Sequence, residues 1–368
     1  MNFTNWYPLE SEYIHSWISQ LSNLKSVVIK TANNPSTVCV TSDSNALLEY
    51  CYRYLPVQKT HHRSASSSRI FFILKSPQKI QTPRGCDYLK RYAPNCRFND
   101  APLDGRTKTV LYAGVNHFGL LKSIISGISS LIATSSDRQG VHAAAFRLDN
   151  HGVLLAGGSE SGKSTLCLNL LKDISKFITE DWCDLFIYKA NSLIAIGVDT
   201  NMSFNIKDVP GMVKVGLFPG ELSSSNVVPH GHRDKIICKI QDIHPYGVLS
   251  ELIINHAFLI ADVPKPTKID EPTADWLFET ICSISLHSPF CFPKNLDVDF
   301  DSKWASLRKN HRNAMEAALE IRRQRYSFAS KMCDLIVRGD CTLTLIPKSL
   351  TIPVEDKVAW IRQALTMN

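Results

Sequence analysis

The chain has 368 residues, of which 44% are hydrophobic and 20% are charged; this composition is typical of a folded globular protein with one large domain or two medium ones. The net charge of +7 is too diffuse to indicate nucleic-acid binding, and no apolar run approaches the roughly 20 residues that a membrane-spanning helix needs. Eleven scattered cysteines without a C-x-x-C pair argue against a cysteine zinc site and favour the reducing cytoplasm. The first residues do not resemble a signal peptide.

Residues 1–140 are predicted to form a small α/β module. Its sequence does not predict what this module does. The hydrophobic patterns predict helices over residues 10–22, 43–55 and 118–133. They predict strands over residues 26–30, 37–42, 69–75 and 107–113.

A hairpin is predicted over residues 141–156. Its strands cover residues 141–148 and 152–156, and a turn that begins at Asp149-Asn150 joins them. Asp or Asn followed closely by Gly between two apolar runs is a hairpin signal. The hairpin would place His142 on the strand beside the one that leads into the next segment.

The segment after this hairpin matches the phosphate-binding P-loop motif G-x-x-x-x-G-K-[ST] at every position. A helix is predicted directly after it, over residues 165–172, so the motif lies between a strand and a helix, as it requires. Glycines let the backbone point successive N–H groups at a polyphosphate, and the helix adds the positive end of its dipole. We therefore predict that a nucleotide is held by Gly157, Gly158, Ser159, Glu160, Ser161, Gly162, Lys163, Ser164 and Thr165.

An acidic pair, Glu180-Asp181, follows this helix closely. It lies in the middle of a run from residue 176 to residue 186 that is predicted to form one strand. Adjacent buried carboxylates are costly unless a metal or a proton relay uses them. Beside a P-loop, such a pair is typical of metal-binding and catalytic-base positions.

The rest of the chain alternates strands, loops and helices. Residues 198–230 are predicted to be long and loop-rich, and the basic cluster that contains Arg233 and Lys235 runs into an apolar strand. Further strands are predicted over residues 184–189, 192–197, 249–261, 333–337 and 342–346. Helices are predicted over residues 271–285, 301–328 and 355–365.

The longest predicted helix, residues 301–328, carries a basic face. A solvated surface is the default interpretation of such a face, and docking of an acidic peptide or another anionic substrate is the alternative. Its basic residues are Arg308, Lys309, Arg312, Arg322, Arg323 and Arg325.

The order of these pieces resembles the catalytic core of the HPr kinase/phosphorylase family and of related P-loop kinases. The clear resemblance covers residues 141–186, and a looser one extends to about residue 345. It implies an α/β fold of the HPr kinase and phosphoenolpyruvate carboxykinase-like type, with a mixed sheet around the P-loop. The kinase domain would span residues 141–346, between the module of residues 1–140 and a C-terminal helix in residues 347–368.

The chain departs from that family at two places. The first member of the acidic pair is Glu180, where the family usually has Asp. The region 198–207 lacks the glycine-rich E-x-R-G-x-G stretch of the true HPr kinases. HPr is therefore the least favoured substrate.

The resemblance implies an ATP- and Mg²⁺-dependent kinase that phosphorylates a hydroxyl. Ser164, Glu180 and Asp181 would position Mg²⁺, and Glu180 is favoured over Asp181 as the catalytic base. Lys163 would bind the phosphates, His142 would orient the acceptor or a phosphate oxygen, and Arg233 would neutralise charge on the transferring group.

Several alternatives stay open at this stage. The favoured acceptor is a Ser or Thr of a protein or peptide, and a sugar, amino acid or nucleoside is the alternative. A nucleotide-binding regulator that transfers no phosphate, or a phosphatase built on the same loop, would also carry this motif. No nucleic-acid or membrane partner is expected, and the oligomeric state, including a homo-oligomer, is left open.

Overall fold

The computed structural model divides into two compact units. The first contains the strands up to residue 113, and the second contains nearly all of the described chain from residue 135 onward. The structure describes residues 26–30, 37–42, 48–49, 57–58, 68–73, 97–99, 109–113, 135–158, 160–197, 201–205, 227–230, 233–240, 247–284 and 314–366.

The first unit contains a mixed six-stranded sheet in the order β3-β1-β2-β4-β6-β5. Its centre is parallel, because β4 pairs in parallel with both β2 and β6. The strands are β1 (Ser26–Lys30), β2 (Thr37–Ser42), β3 (Val57–Gln58), β4 (Ser68–Ile73), β5 (Arg97–Asn99) and β6 (Thr109–Ala113). The predicted strands over residues 26–30, 37–42, 69–75 and 107–113 are confirmed. Of the three helices predicted within residues 1–140, the structure describes only Leu48 and Glu49, and both residues are helical.

The second unit is built from three sheets and a few helices. Its strands, with β14 at the unit boundary, are β7 (Arg138–Val141), β8 (Ala143–Leu148), β9 (His151–Ala156), β10 (Ile174–Thr179), β11 (Cys183–Tyr188), β12 (Ser192–Gly197), β13 (Asn201–Asn205), β14 (Val227–His230), β15 (Arg233–Lys239), β16 (Glu251–Ile254), β17 (His256–Ala261), β18 (Thr267–Ile269) and β19 (Thr342–Pro347). The described helices are α1 (Lys163–Leu170), α2 (Ala274–Ile284), α3 (Ala314–Val337) and α4 (Val354–Thr366), and α3 belongs to this unit from Arg322 onward.

The largest sheet of this unit has the order β10-β8-β9-β17-β19-β18. Its centre is parallel, since β17 pairs in parallel with β9 and with β19, while the outer pairs are antiparallel. A second, antiparallel sheet has the order β16-β12-β11-β7. The chain is therefore a mixed α/β protein, as predicted.

The polypeptide passes between these two sheets at three short breaks, which we call the sheet-change points. They are His142 between β7 and β8, residues 180–182 between β10 and β11, and Asn255 between β16 and β17. The sequence predicted one continuous strand across each of these places, and that was wrong. Each run has apolar residues on both sides of its break, so the hydrophobic pattern does not mark the break.

The sheets and helices stack in layers that enclose two cores. One core lies between the four-stranded sheet, one face of the six-stranded sheet, α2 and α3, and it contains Leu185, Leu154 and Phe328. The other lies on the opposite face of the six-stranded sheet, under α1 and α4, and it contains Phe146 and Ile361. The P-loop follows β9 of the six-stranded sheet, so it lies at the end of the sheet that separates the two cores.

Two further predictions differ from the structure. The segment 198–230 was predicted to be loop-rich, yet it contains β13 and β14 among its described residues, and Met202 and Phe204 of β13 are buried. Residues 333–337 were predicted to be a strand, yet they form the last turns of α3. Short apolar runs do not distinguish a strand from a buried helical segment. The predicted helices near residues 271–285 and 355–365 and the strand near 342–346 are confirmed.

None of the helices in the described residues is both long enough and apolar enough to cross a membrane.

A buried histidine lies where three parallel strands begin. His256 starts β17, and its Nε2 atom lies 3.1 Å from Nδ1 of His151, while Thr342 contacts its Nδ1 atom at 2.8 Å. Burial, and secondarily the neighbouring His151, lowers the pKa of His256 to about 4. The folded protein therefore holds this ring neutral where the unfolded chain would protonate it.

We expect acid to destabilise the fold through this ring. The unfolded chain takes up a proton below its ordinary pKa of about 6.5, so the free energy of unfolding should fall by about 2 kcal/mol between about pH 7 and about pH 4. Urea unfolding across this range measures the change. His256→Asn should be less stable at neutral pH but should show a flatter pH dependence. An equally steep dependence in the variant would assign the effect to other groups.

Candidate functional site

The P-loop adopts a tight turn directly between β9 and α1. Gly162 has a φ of 99° and immediately precedes the first residue of α1, and Glu160 has a φ of 60°. The Ser161 amide donates to the carbonyl of Gly158 at 3.3 Å, and the Leu166 amide donates to the carbonyl of Gly162 at 3.0 Å. A left-handed residue at the helix start suits glycine, which carries no Cβ. Of the predicted phosphate-binding residues, Ser159 lies outside the described residues.

The side chain of Lys163 is buried beneath this turn. Its ammonium donates to the carbonyls of Gly157 and Gly158 at 3.0 and 3.2 Å, and it lies 3.4 Å from Nδ1 of His142. A buried ammonium needs several polar partners to offset the loss of water. The carbonyls of the loop therefore bind the Lys163 ammonium at the N-terminus of α1. An anion bound there would compete with these carbonyls for the ammonium.

The next residue, Ser164, contacts the acidic pair. Its hydroxyl donates a short hydrogen bond to Oε1 of Glu180, whose side chain is fully buried. A carboxylate with no exposure is costly in an apolar interior unless its oxygens are satisfied. The first turn of α1 and the break after β10 are thus joined through these two side chains.

The second acid of the pair contacts the histidine. Nε2 of His142 lies 2.6 Å from Oδ1 of Asp181. The Asp181 side chain is 25% exposed, in contrast to Glu180. The structure therefore forms a continuous polar chain from Lys163 through His142 to Asp181, and its far end reaches solvent.

Backbone contacts hold this polar chain in place. The His142 amide donates to the carbonyl of Ile284, the last residue of α2, at 2.8 Å. The carbonyl of His142 accepts from the Gly157 amide at 3.4 Å. The His142 ring also stacks on Trp182, with centroids 5.7 Å apart and the planes 27° from parallel. The backbone of His142 is therefore held from the loop side and the helix side, and its imidazole is packed on one ring face.

Trp182 and Ile284 were not predicted as part of the site. Trp182 is buried, and its carbonyl accepts from the Thr179 hydroxyl at 2.6 Å, which closes the turn that contains the acidic pair. Its position next to Asp181 was the only signal in the sequence. Ile284 contacts His142 through its backbone carbonyl, and no side-chain pattern in the sequence indicates such a contact.

The hairpin prediction placed His142 on a strand, and this detail is wrong. His142 lies at a sheet-change point, and the acidic pair lies at another rather than in the middle of a strand. Both breaks occur next to the P-loop because β8 lies between β9 and β10 in the six-stranded sheet. A residue at a break is not confined to one sheet face, so its side chain is able to turn toward α1.

A buried thiol reports the electrostatic character of this region. Cys167 lies one turn into α1 with no exposure. Burial raises the pKa of its thiol well above the ordinary value, the Glu180 carboxylate raises it further, and Lys163 opposes this. The thiol is thus kept protonated beside the charged groups, and we assign it a packing role.

The oxygen atoms of Ser164 and Glu180 suit a hard cation. Among the described residues, no group of three His, Cys, Asp or Glu side chains is arranged to hold a metal ion. Mg²⁺ beside a nucleotide usually takes only one or two protein oxygens and completes its shell with phosphate and water. The touching hydroxyl and carboxylate at the P-loop fit that requirement.

For the remaining predicted site residues, the structure describes the position in the fold but no contact with the site. Thr165 is exposed on the first turn of α1. Arg233 begins β15, and Lys235 of the same strand pairs with Asn205 of β13. The side chains of Arg233 and Lys235 lie outside the described part of the structure, so the role of Arg233 stays a prediction.

Comparison with known proteins finds no family model and no curated protein that matches this chain.

The two glycines that open the P-loop provide a matched pair of tests. A Cβ atom on Gly157 would lie 2.6 Å from the Ser161 hydroxyl and 3.2 Å from Cβ of Ile260, whereas one on Gly158 would meet nothing within 4 Å. Gly157→Ala should therefore lower the free energy of local opening around Ser161 by about 1–2 kcal/mol, and Gly158→Ala should change it by less than about 0.5 kcal/mol.

Hydrogen exchange of the amides in the loop and the first turn of α1 measures this difference in the free protein. Equal protection in both variants would contradict the close packing of Ser161 over Gly157.

Proposed function

We propose that the protein is an ATP- and Mg²⁺-dependent kinase that transfers the γ-phosphate to a hydroxyl group. The observation that carries this proposal is the convergence of both acids on the P-loop. Glu180 contacts Ser164, and Asp181 is connected to Lys163 through His142. Phosphoryl transfer needs phosphate binding, a metal and a positioned base in one place.

The P-loop supports the binding of a nucleotide polyphosphate. Its amides and the N-terminus of α1 offer donors and positive dipole to the phosphates. Lys163 holds loop carbonyls in the free protein, and those are contacts that phosphate oxygens would replace. The mixed sheet around this loop is compatible with the HPr kinase-like fold that the motif order resembles.

The different burial of the two acids supports distinct roles. Glu180 is fully buried against the Ser164 hydroxyl, which suits a residue that helps Ser164 hold Mg²⁺. When bound, that ion would neutralise charge on the phosphates. Asp181 is 25% exposed and contacts His142, which suits a base that accepts a proton from an incoming hydroxyl. This proposal reverses the preference for Glu180 as the base that the sequence analysis favoured.

His142 supports this assignment as a positioning residue. An Nε2–H group would donate to Asp181 and hold the carboxylate oriented and ionised, while Nδ1 would accept from Lys163. The Trp182 ring packs against the imidazole, and the Ile284 carbonyl holds the His142 backbone in place.

The acceptor that we propose is a Ser or Thr of a protein or peptide. None of the cysteine side chains that the structure describes forms a disulfide, and five of them are buried, which is compatible with the reducing cytoplasm. Incubation with ATP and Mg²⁺, followed by mass spectrometry of candidate acceptors, tests the class. A mass gain of one phosphate on a peptide supports the proposal, and a gain on metabolites alone would assign a small-molecule kinase.

The first variant tests nucleotide use. Lys163→Ala should lower ATP turnover by about a hundredfold or more, because the phosphates lose their buried cation. Lys189→Ala removes an exposed lysine in the β11–β12 turn and should leave turnover unchanged. Circular dichroism checks that both variants fold. Wild-type turnover in a folded Lys163→Ala protein would remove the kinase proposal.

The second comparison separates the two acids. Asp181→Asn should keep the affinity for ATP and Mg²⁺ and lower transfer by about a hundredfold to ten-thousandfold, as expected for loss of a base. Glu180→Gln should instead weaken the Mg²⁺-dependent part of nucleotide binding. Titration with a fluorescent ATP analogue, with and without Mg²⁺, measures both. The opposite pattern would return the base role to Glu180.

A further inference from the structure

An open cavity of about 620 Å³ lies between α2 and α3. We call it the α2–α3 groove. It is lined by Phe278, Arg322, Arg323, Tyr326, Ser327, Ser330 and Lys331. None of these residues belongs to the P-loop site described above.

The lining residues of α3 follow the helical repeat. Arg322, Tyr326 and Ser330 form one row at intervals of four residues, and Arg323, Ser327 and Lys331 form the adjacent row. Residues four apart lie on the same helix face. The opposite face packs into the core through Phe328, Met332, Leu335 and Ile336. The groove therefore runs along α3 for about 13 Å between Arg322 and Lys331, at 1.5 Å per residue.

The chemistry of the groove is that of an anion site. Among the described residues that line it, none carries a carboxylate, whereas two guanidinium groups, one ammonium group and three hydroxyl groups do line it. The Cζ atom of the Arg322 guanidinium lies over the Phe278 ring, 5.2 Å from its centroid. Guanidinium groups bind carboxylates and phosphates through paired donors.

Two acids stand at the rim and are already engaged. Asp137 contacts the ammonium of Lys331 at 2.5 Å, and Asp275 lies close enough to Tyr326 to raise the pKa of its hydroxyl. The remaining cationic side chains that line the groove, Arg322 and Arg323, lie at its other end.

This end of the groove is connected to the candidate active site through α2. Asp275 contacts Tyr326, whereas Phe278 contacts both Tyr326 and Arg322, so α2 runs antiparallel to α3. From Phe278, α2 extends about 9 Å further to Ile284, at 1.5 Å per residue. The carbonyl of Ile284 accepts from the amide of His142.

We propose that the groove binds an acidic segment of the protein acceptor. This proposal rests on the proposed kinase function. Extended chain spans about 3.3 Å per residue, so the roughly 9 Å along α2 place carboxylates at Arg322 and Arg323 at least about three residues from the phosphorylated hydroxyl. The groove's length fits several extended residues, which favours a peptide over a single small anion. Recognition of the acceptor is thereby separated from the chemistry at Asp181.

Direct binding without nucleotide tests the groove alone. The probes are two fluorescein-labelled synthetic peptides with one central serine and, on one side of it, either glutamates or glutamines at the third and fourth positions. Fluorescence anisotropy at low salt should show the glutamate peptide binding about tenfold more tightly than the glutamine peptide. Equal affinities would overturn the proposal.

Charge-reversal variants test whether the glutamate peptide binds in the groove. Arg323→Glu, at an exposed position, should weaken binding of the glutamate peptide by about tenfold or more. Lys172→Glu makes the same charge change at an exposed residue just after α1, on the other side of the six-stranded sheet, and should change affinity by less than about twofold. Thermal unfolding checks that both variants fold. An unchanged affinity in folded Arg323→Glu protein would overturn the proposal.

Competition distinguishes a peptide site from a site for a free anion. Millimolar inorganic phosphate should leave the glutamate peptide bound, and displacement at micromolar phosphate would assign the groove to a small anion instead. These assays contain no ATP. Failure of peptide binding with Lys163-dependent turnover intact would therefore refute the groove alone, whereas intact peptide binding without turnover would refute only the kinase.

Discussion

Full burial of the Glu180 carboxylate is the constraint on which the rest of the site depends. An unsatisfied buried carboxylate costs several kcal/mol or shifts to its neutral form, and the Ser164 hydroxyl at the start of α1 is its hydrogen-bond partner in the fold. This contact ties the break after β10 to the P-loop. Asp181 follows directly in the chain, so it is carried to the same place, where it meets His142. The P-loop and two carboxylates thus come together through the Ser164–Glu180 contact and through His142.

The two-sheet architecture makes that contact available. Beside the P-loop the chain passes from the four-stranded sheet to the six-stranded sheet at His142, and back again at residues 180–182. Such breaks let polar side chains turn away from both sheet faces without disturbing the cores on either side. The same layer that receives the chain also packs α2 and α3, so the helix that binds the His142 amide is also one wall of the α2–α3 groove. The proposed chemistry and the proposed recognition of an acidic acceptor therefore share one structural element.

Local signals were sufficient to predict the strands β1 and β2, the β8–β9 hairpin turn, the P-loop and the helix after it. Glycine, turn chemistry and helical spacing are all local properties. The sheet-change points could not be predicted, because residues 141–148 and 176–186 are apolar on both sides of each break. The only sequence signal for the groove was the basic face of α3. The contribution of Phe278 could not be predicted, because this residue comes from a distant segment of the chain. The opposite burial of Glu180 and Asp181 depends on tertiary packing, and adjacent acids look alike in a sequence.

The most direct measurement is a double-mutant cycle between Ser164 and Glu180. The affinity for a fluorescent ATP analogue in the presence of Mg²⁺ would be compared among the wild type, Ser164→Ala, Glu180→Gln and the double variant, after each is shown to fold. If both side chains act on the same ion, the double variant should lose about 1–2 kcal/mol less binding free energy than the sum of the single losses. Additive losses would contradict a shared role at the nucleotide and with it the central claim.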